Sequence, residues 1–175
     1  MRLPIDLACG DLLAFSGEGF FSEVIKITTD WPRRQISHVG VMLSPTLLVE
    51  ATSLLGENGV TPINLSYKLE SYPGAIYACP LSLTAVANFD PKRFIKFLMD
   101  EAGRPYSKLQ ACLAPFHAGH DLHNWASSWY CSKIATVAYK EAGVLPWFYN
   151  ESQTPSSLTK LPIFNGMIQL KGANL

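Results

Sequence analysis

Three residues far apart in the chain have side chains suited to nucleophilic catalysis: Cys131, His38 and Glu50. Cys131 opens the segment CSKIATVAYKEA, whose apolar period predicts a helix over 131–142, with Ile134, Ala135, Val137 and Ala138 inward and Gly143 as terminator. A thiol in the first turn of a helix faces unpaired backbone N–H groups and the positive end of the helix dipole. Both favour the thiolate, which is the nucleophilic form. The Cys131 N–H is also placed to donate to an oxyanion. An imidazole such as His38 would take and return the proton, and a carboxylate such as Glu50 would orient that ring. Chain order is immaterial to such a triad. Taken singly, each residue has a plainer reading: a small buried thiol, a structural histidine, a solvated glutamate.

The elements that must position these groups can be read from the pattern. Ser37–Thr52 (SHVGVMLSPTLLVEAT) has two apolar runs flanking Ser44-Pro45-Thr46, which predicts a hairpin with a loop at 44–46. Alternation then puts Val39, Val41, Leu43, Leu47, Val49 and Ala51 on one apolar face. The other face carries His38, Gly40, Met42, Leu48, Glu50 and Thr52. In this register His38 lies opposite Thr52 and Gly40 opposite Glu50. His38 and Glu50 are then diagonal neighbours, about 7–8 Å apart at the backbone. Gly40 removes a side chain between them, which predicts room for another element to approach.

Around the hairpin, Asp11–Ser16 reads as a short strand opened by Gly10, and Phe20–Thr29 as a short helix ended at Trp31-Pro32. Gly59–Ile63 and Ala75–Cys79 read as strands, and Leu65–Ser71 as a helical turn or short helix. Pro91–Ala102 reads as a helix with Pro91 in its first turn and Gly103 at its end. Tyr106–Leu113 has helical character before a loop. From Pro146 onward the chain is rich in Pro, Ser, Thr and Asn and predicts no clear element.

A chain of 175 residues suits one compact domain, taken as 1–175. With 48% hydrophobic and 16% charged residues it has material for a sizeable core and is a poor candidate for extended disorder. Basic and acidic residues balance at 14 each, so there is no electrostatic footprint for duplex nucleic acid. No apolar stretch approaches the ~20 residues of a membrane span, and the opening MRLPIDLACGD does not read as a secretory signal. These features predict a cytoplasmic protein, or one carried by a phage particle or a signal-independent export route. Cys9, Cys79, Cys112 and Cys131 form no C-x-x-C pair, zinc ribbon or dense disulfide pattern.

Beyond these residue-level readings, four stretches resemble a known family. GDLLAFSGEGFFSEVIKITTDWPRRQISHVGVML, LLVEAT, GRPYS and SSWYCSKIATVAYKEAGV are similar, in that order, to the circularly permuted NlpC-type papain-like cysteine hydrolases, the YiiX/YebB-like group. The matching motifs are Gly10-Asp11, Ser37-His38-Val39-Gly40, Val49-Glu50-Ala51 and Tyr130-Cys131-Ser132. The resemblance implies an α+β papain-like fold, with an antiparallel sheet packed against the helix that carries the nucleophile. It implies Cys131 as nucleophile, His38 as base and Glu50 as third member. Tyr130, Ser37 and Tyr106, within or beside these motifs, are read as substrate-binding; for Tyr130 a packed aromatic is the competing reading. The chain departs from many relatives in having Ser107 after Pro105-Tyr106 and Lys133-Ile134 after Cys131-Ser132, which weakens substrate inference more than activity inference.

The expected activity is amide hydrolysis through an acyl-enzyme, first on cell-wall peptide (peptidoglycan) material. A thioesterase, acyl hydrolase or acyltransferase working on lipid or acylated substrates is the alternative, and a catalytically silent binding module of the same fold is a third reading. The partner is thus a small peptide or acyl substrate, and no cofactor is implied. His117, His120 and His123, with Cys112 upstream, have ligand chemistry. Their loop matches no familiar zinc pattern, so a polar loop is the preferred reading. Arg33-Arg34 is too short for a basic patch.

Overall fold

The computed structural model describes residues 5–17, 36–52, 59–106, 129–150 and 153–172. Its frame is a six-stranded antiparallel sheet in the order β4-β3-β2-β1-β5-β6. The strands are β1 (Leu12–Ser16), β2 (His38–Ser44), β3 (Leu47–Thr52), β4 (Gly59–Asn64), β5 (Ala75–Cys79) and β6 (Ile168–Lys171). Helices α1 (Leu65–Ser71), α2 (Leu83–Asn88), α3 (Pro91–Asp100), α4 (Cys131–Glu141) and α5 (Pro155–Leu158) complete the described elements. Together they make an α+β architecture. Among the described residues, no helix is long and apolar enough to cross a membrane.

The centre of the sheet is buried on both sides, and β1 shows why. Leu12 and Ala14 point into one core, Leu13 and Phe15 into the other. A strand covered on both faces needs a continuous apolar run, and LLAF supplies it. The first core also takes Val39, Val41, Val49 and Ala51, and it is closed by α4 and α3. In α4, Ile134, Ala135, Ala138 and Tyr139 are buried, and the small alanines let the helix lie close to the strands. Tyr139 donates its hydroxyl to the Gly10 carbonyl at 2.8 Å, which ties the helix to the start of β1. Gly143, at φ +79°, ends α4 in the left-handed conformation that glycine adopts without strain.

The second core collects Met42, Leu48, Ile63, Leu65, Tyr72 and Ile76. Helix α1 lies against it and starts cleanly because Asn64 caps it, accepting from the Ser66 and Tyr67 N–H groups. Helix α3 is capped in the same way by Asp90, with Pro91 in its first turn.

The hairpin register is the one the alternation predicts. Val41 faces Val49 and Met42 faces Leu48. The turn is tighter than expected: β2 extends to Ser44, which pairs with Leu47 across an irregularity after Met42. The tail does hold structure, in α5 and in the edge strand β6 paired with β5. Helix α2, begun by the Ser82 cap, has no counterpart in the sequence reading. The predicted helices at 20–29 and 106–113 lie outside the described residues, except Tyr106.

Candidate functional site

Cys131 is the first residue of α4, and the chain enters that helix on a fixed path. Trp129 donates its backbone N–H to the Pro105 carbonyl at 3.0 Å and bridges in parallel to Tyr106. Its indole N–H donates to Glu101 Oε2 at 2.6 Å, the same oxygen that pairs with Arg104 at 2.9 Å. The Trp129 ring stands edge-on to Phe97, with the Lys133 ammonium 5.3 Å from its centre. The residues before Cys131 are therefore pinned to the end of α3. Tyr130, extended and buried, is the N-cap and offers no side-chain cap. Ser132 spends its hydroxyl on the Gln153 carbonyl at 2.6 Å, which fixes the helix start from the other side.

His38 is the first residue of β2, in register with Phe15 of β1, and its ring lies 5.5 Å from the Phe15 ring. Being at the strand's end, the imidazole can reach past the sheet to the helix on the opposite side. Its Nε2 is 2.9 Å from Glu50 Oε2, and it hydrogen-bonds Cys131 on the other side. With Nε2 engaged by Glu50, Nδ1 is the nitrogen left for the thiol. Burial alone would hold His38 neutral. Against it stand the charge of Cys131, that of Glu50 and the hydrogen bonds to both, and together they raise the imidazole pKa to about 9.

Glu50 is 1% exposed, and both its oxygens are engaged. Oε2 meets His38, and Oε1 accepts from the Lys68 ammonium of α1. Burial pushes this carboxyl towards the neutral acid; His38 and Lys68 outweigh that and hold it below the usual glutamate value. The Lys68 side chain is 2% exposed, and its ammonium lies 5.0 Å from the Phe15 ring centre and 5.4 Å from that of Tyr72.

Cys131, His38 and Glu50 thus come together from α4, β2 and β3. Lys68 and Tyr72, which the sequence reading did not single out, join them. Tyr72 is buried beside the group; its hydroxyl pKa is raised by burial and by the charges of Glu50 and Cys131, against a hydrogen bond with Ser37. The available signal was spacing. Leu65 and Lys68 of α1 and the C-cap Tyr72 form one buried stripe, so a lysine occupies a position where an apolar residue belongs. Ser37 directs its hydroxyl to the Phe15 carbonyl and accepts from the Gly17 N–H, both at 3.4 Å. Tyr106 is half-buried against the first core and pairs with Trp129. The room predicted at Gly40 is not left open: a Cβ there would lie 3.0 Å from Leu48 Cδ1 and 3.3 Å from Glu50 Cβ. The glycine lets these two side chains close over the strand.

By sequence the chain matches no family model and no curated protein. By structure it is similar to the metalloprotein YiiX from Escherichia coli O157:H7 (DUF1105), at 13% identity and a TM-score of 0.66, over 96% of this chain and 99% of that one. The likeness is one of fold. Among the described residues, no group of three or more His, Cys, Asp and Glu side chains is disposed to hold a metal ion. A cation at Glu50 would have to displace the Lys68 ammonium from Oε1. His117, His120, His123 and Cys112 lie outside the described residues.

Proposed function

We propose that this protein is a cysteine hydrolase of the circularly permuted NlpC-type papain-like kind, acting through an acyl-enzyme. The observation that carries the reading is the position of His38, hydrogen-bonded to Glu50 on one side and to Cys131 on the other. In the forward step, the Cys131 proton passes to His38 and the sulfur attacks the substrate carbonyl carbon. The carbon–nitrogen bond, or the carbon–sulfur bond of a thioester, then breaks. His38 returns its proton to the leaving amine or thiol, and the acyl group remains on Sγ. Water then attacks the thioester, His38 takes its proton, and release of the acid restores the thiol. Glu50 holds the ring in the tautomer this requires. The uncapped first turn of α4 presents backbone N–H groups and the helix dipole to charge developing beside Cys131.

Cell-wall peptide amides are the substrate class that the family resemblance favours, with acyl thioesters second. The test is trapping. The protein is incubated with a pool of muropeptides and acyl thioesters, and the Cys131 peptide is weighed. An adduct equal to the acyl part of a pool member, absent in Cys131→Ser, supports the reading and names the bond. A Cys131 peptide of unchanged mass across both substrate classes counts against it.

A further inference from the structure

We infer that Lys68 is a positioning residue of the reaction proposed above: its ammonium, held on Glu50, keeps the buried cluster free of net charge while the proton moves between Cys131 and His38. The inference rests on that reading and follows from counting charges. With the thiol and imidazole neutral, Glu50 and Lys68 cancel. With the proton on His38, the four groups alternate as thiolate, imidazolium, carboxylate and ammonium, and the sum is again zero. Without Lys68, the states before and after transfer would each carry one uncompensated negative charge in a site where water is scarce: His38 is 7% exposed, Cys131 3% and Glu50 1%. An uncompensated buried charge is strongly disfavoured, so the cluster would take up one proton from solvent and rest as thiol, imidazolium and carboxylate, with the thiol's own proton still on sulfur.

The surroundings of Lys68 suit this task. Its ammonium reaches Glu50 Oε1 from α1 and is flanked by the Phe15 and Tyr72 rings, which attract a cation while excluding solvent. Among the described residues, the groups facing Glu50 and His38 are Lys68 from α1, Tyr72 at the C-cap of that helix, Cys131 from α4 and the Phe15 ring from β1. Ser37 meets the Tyr72 hydroxyl, and from β6 the Lys171 ammonium bonds the Tyr72 backbone carbonyl at 2.5 Å. A lysine kept only to solubilise a helix face would point to solvent; this one is buried against a carboxylate.

The experiment measures iodoacetamide alkylation of Cys131 against pH in the full chain, read by peptide mass, with thermal melts as a check on folding. Lys68→Met is expected to slow alkylation at pH 7 by at least tenfold and to move the profile to higher pH. Adding Glu50→Gln to Lys68→Met removes the stranded negative charge and is expected to recover most of the rate. A purely structural lysine would leave the double variant no better than the single. Wild-type kinetics in Lys68→Met, or no recovery in the double variant, overturns the inference. Should Lys68→Met fail to fold, Glu50→Gln is compared with the double variant. The retained ammonium is expected to extend alkylation to lower pH in Glu50→Gln, and coincident profiles overturn the inference. Wild-type Cys131 that reacts no faster than a free thiol would instead remove the hydrolase reading beneath it.

Discussion

Two buried carboxylates, Asp11 just before β1 at 5% exposure and Glu50 in β3 at 1%, are held in opposite ways. Asp11 accepts from two backbone N–H groups, Ala8 at 2.8 Å and Leu81 at 3.0 Å. Burial raises its pKa, and those two bonds only soften the rise. Glu50 meets an imidazole and an ammonium, and these overcome burial to hold it ionised. A carboxylate satisfied by backbone fastens two chain segments together, and nothing near it needs to change protonation. One satisfied by titratable side chains is coupled to proton movement. The nearby thiols extend the contrast. Burial, with a further rise from Asp11, lifts Cys9 to about 11 and Cys79 to about 12, leaving both poor nucleophiles at neutral pH. Cys131 instead sits in hydrogen-bond contact with an imidazole.

The comparison can be broken at either carboxylate, and the largest effects belong to the Glu50 side. His38→Ala is expected to lower the acylation burst with p-nitrophenyl acetate by about 10²–10⁴-fold, the usual worth of general acid–base help. Stopped-flow release of nitrophenolate measures it. Glu50→Gln keeps the side chain's shape but loosens the ring, and a lost charge-assisted hydrogen bond predicts a burst about 10–100-fold slower. The expected pH dependence follows from the direction of the His38 shift. Its folded value of about 9 lies above the ordinary 6.5, so protonated His38 contributes stability that is full below pH 6.5 and lost as pH rises through about 9. Urea melts at pH 6 and pH 9.5 should show wild type losing more stability than His38→Gln over that interval. The smallest effect falls on the other carboxylate. Asp11→Asn should cost about 1–3 kcal/mol and lower the thermal midpoint by about 5 °C, with Cys131 alkylation unchanged. Altered alkylation in Asp11→Asn would mean that the two sites are coupled.

The hairpin was legible because alternation and turn position fix a register, and a register fixes faces. That alone put His38 and Glu50 side by side and left Val39, Val41, Val49 and Ala51 for the core. Helix α4, with its start at Cys131, was legible from its apolar period, and the chemistry a first turn offers followed from that position. Lys68 was not, because a lysine in a seven-residue helix reads as solvent-facing until the packing of α1 on the sheet is known. Strand β6 escaped for a related reason. Its four residues, IQLK, bury Leu170 alone, and an edge strand takes its definition from the partner β5 rather than from its own pattern. Residue pattern and spacing did not say that Cys131 would meet His38, and only the family resemblance implied it; the meeting depends on how α4 lies across the sheet and on the Trp129–Glu101 anchor before it.

The proposed chemistry requires His38 to accept the Cys131 proton, and one rate tests that transfer most directly. It is the second-order constant for iodoacetamide on Cys131 at pH 6, in wild type and His38→Ala, with Cys9 in the same digest as an internal control. If that transfer occurs, wild-type Cys131 outruns both Cys9 and a free cysteine thiol at least tenfold, and His38→Ala abolishes the advantage. Equal rates for Cys131 in the two proteins would contradict it.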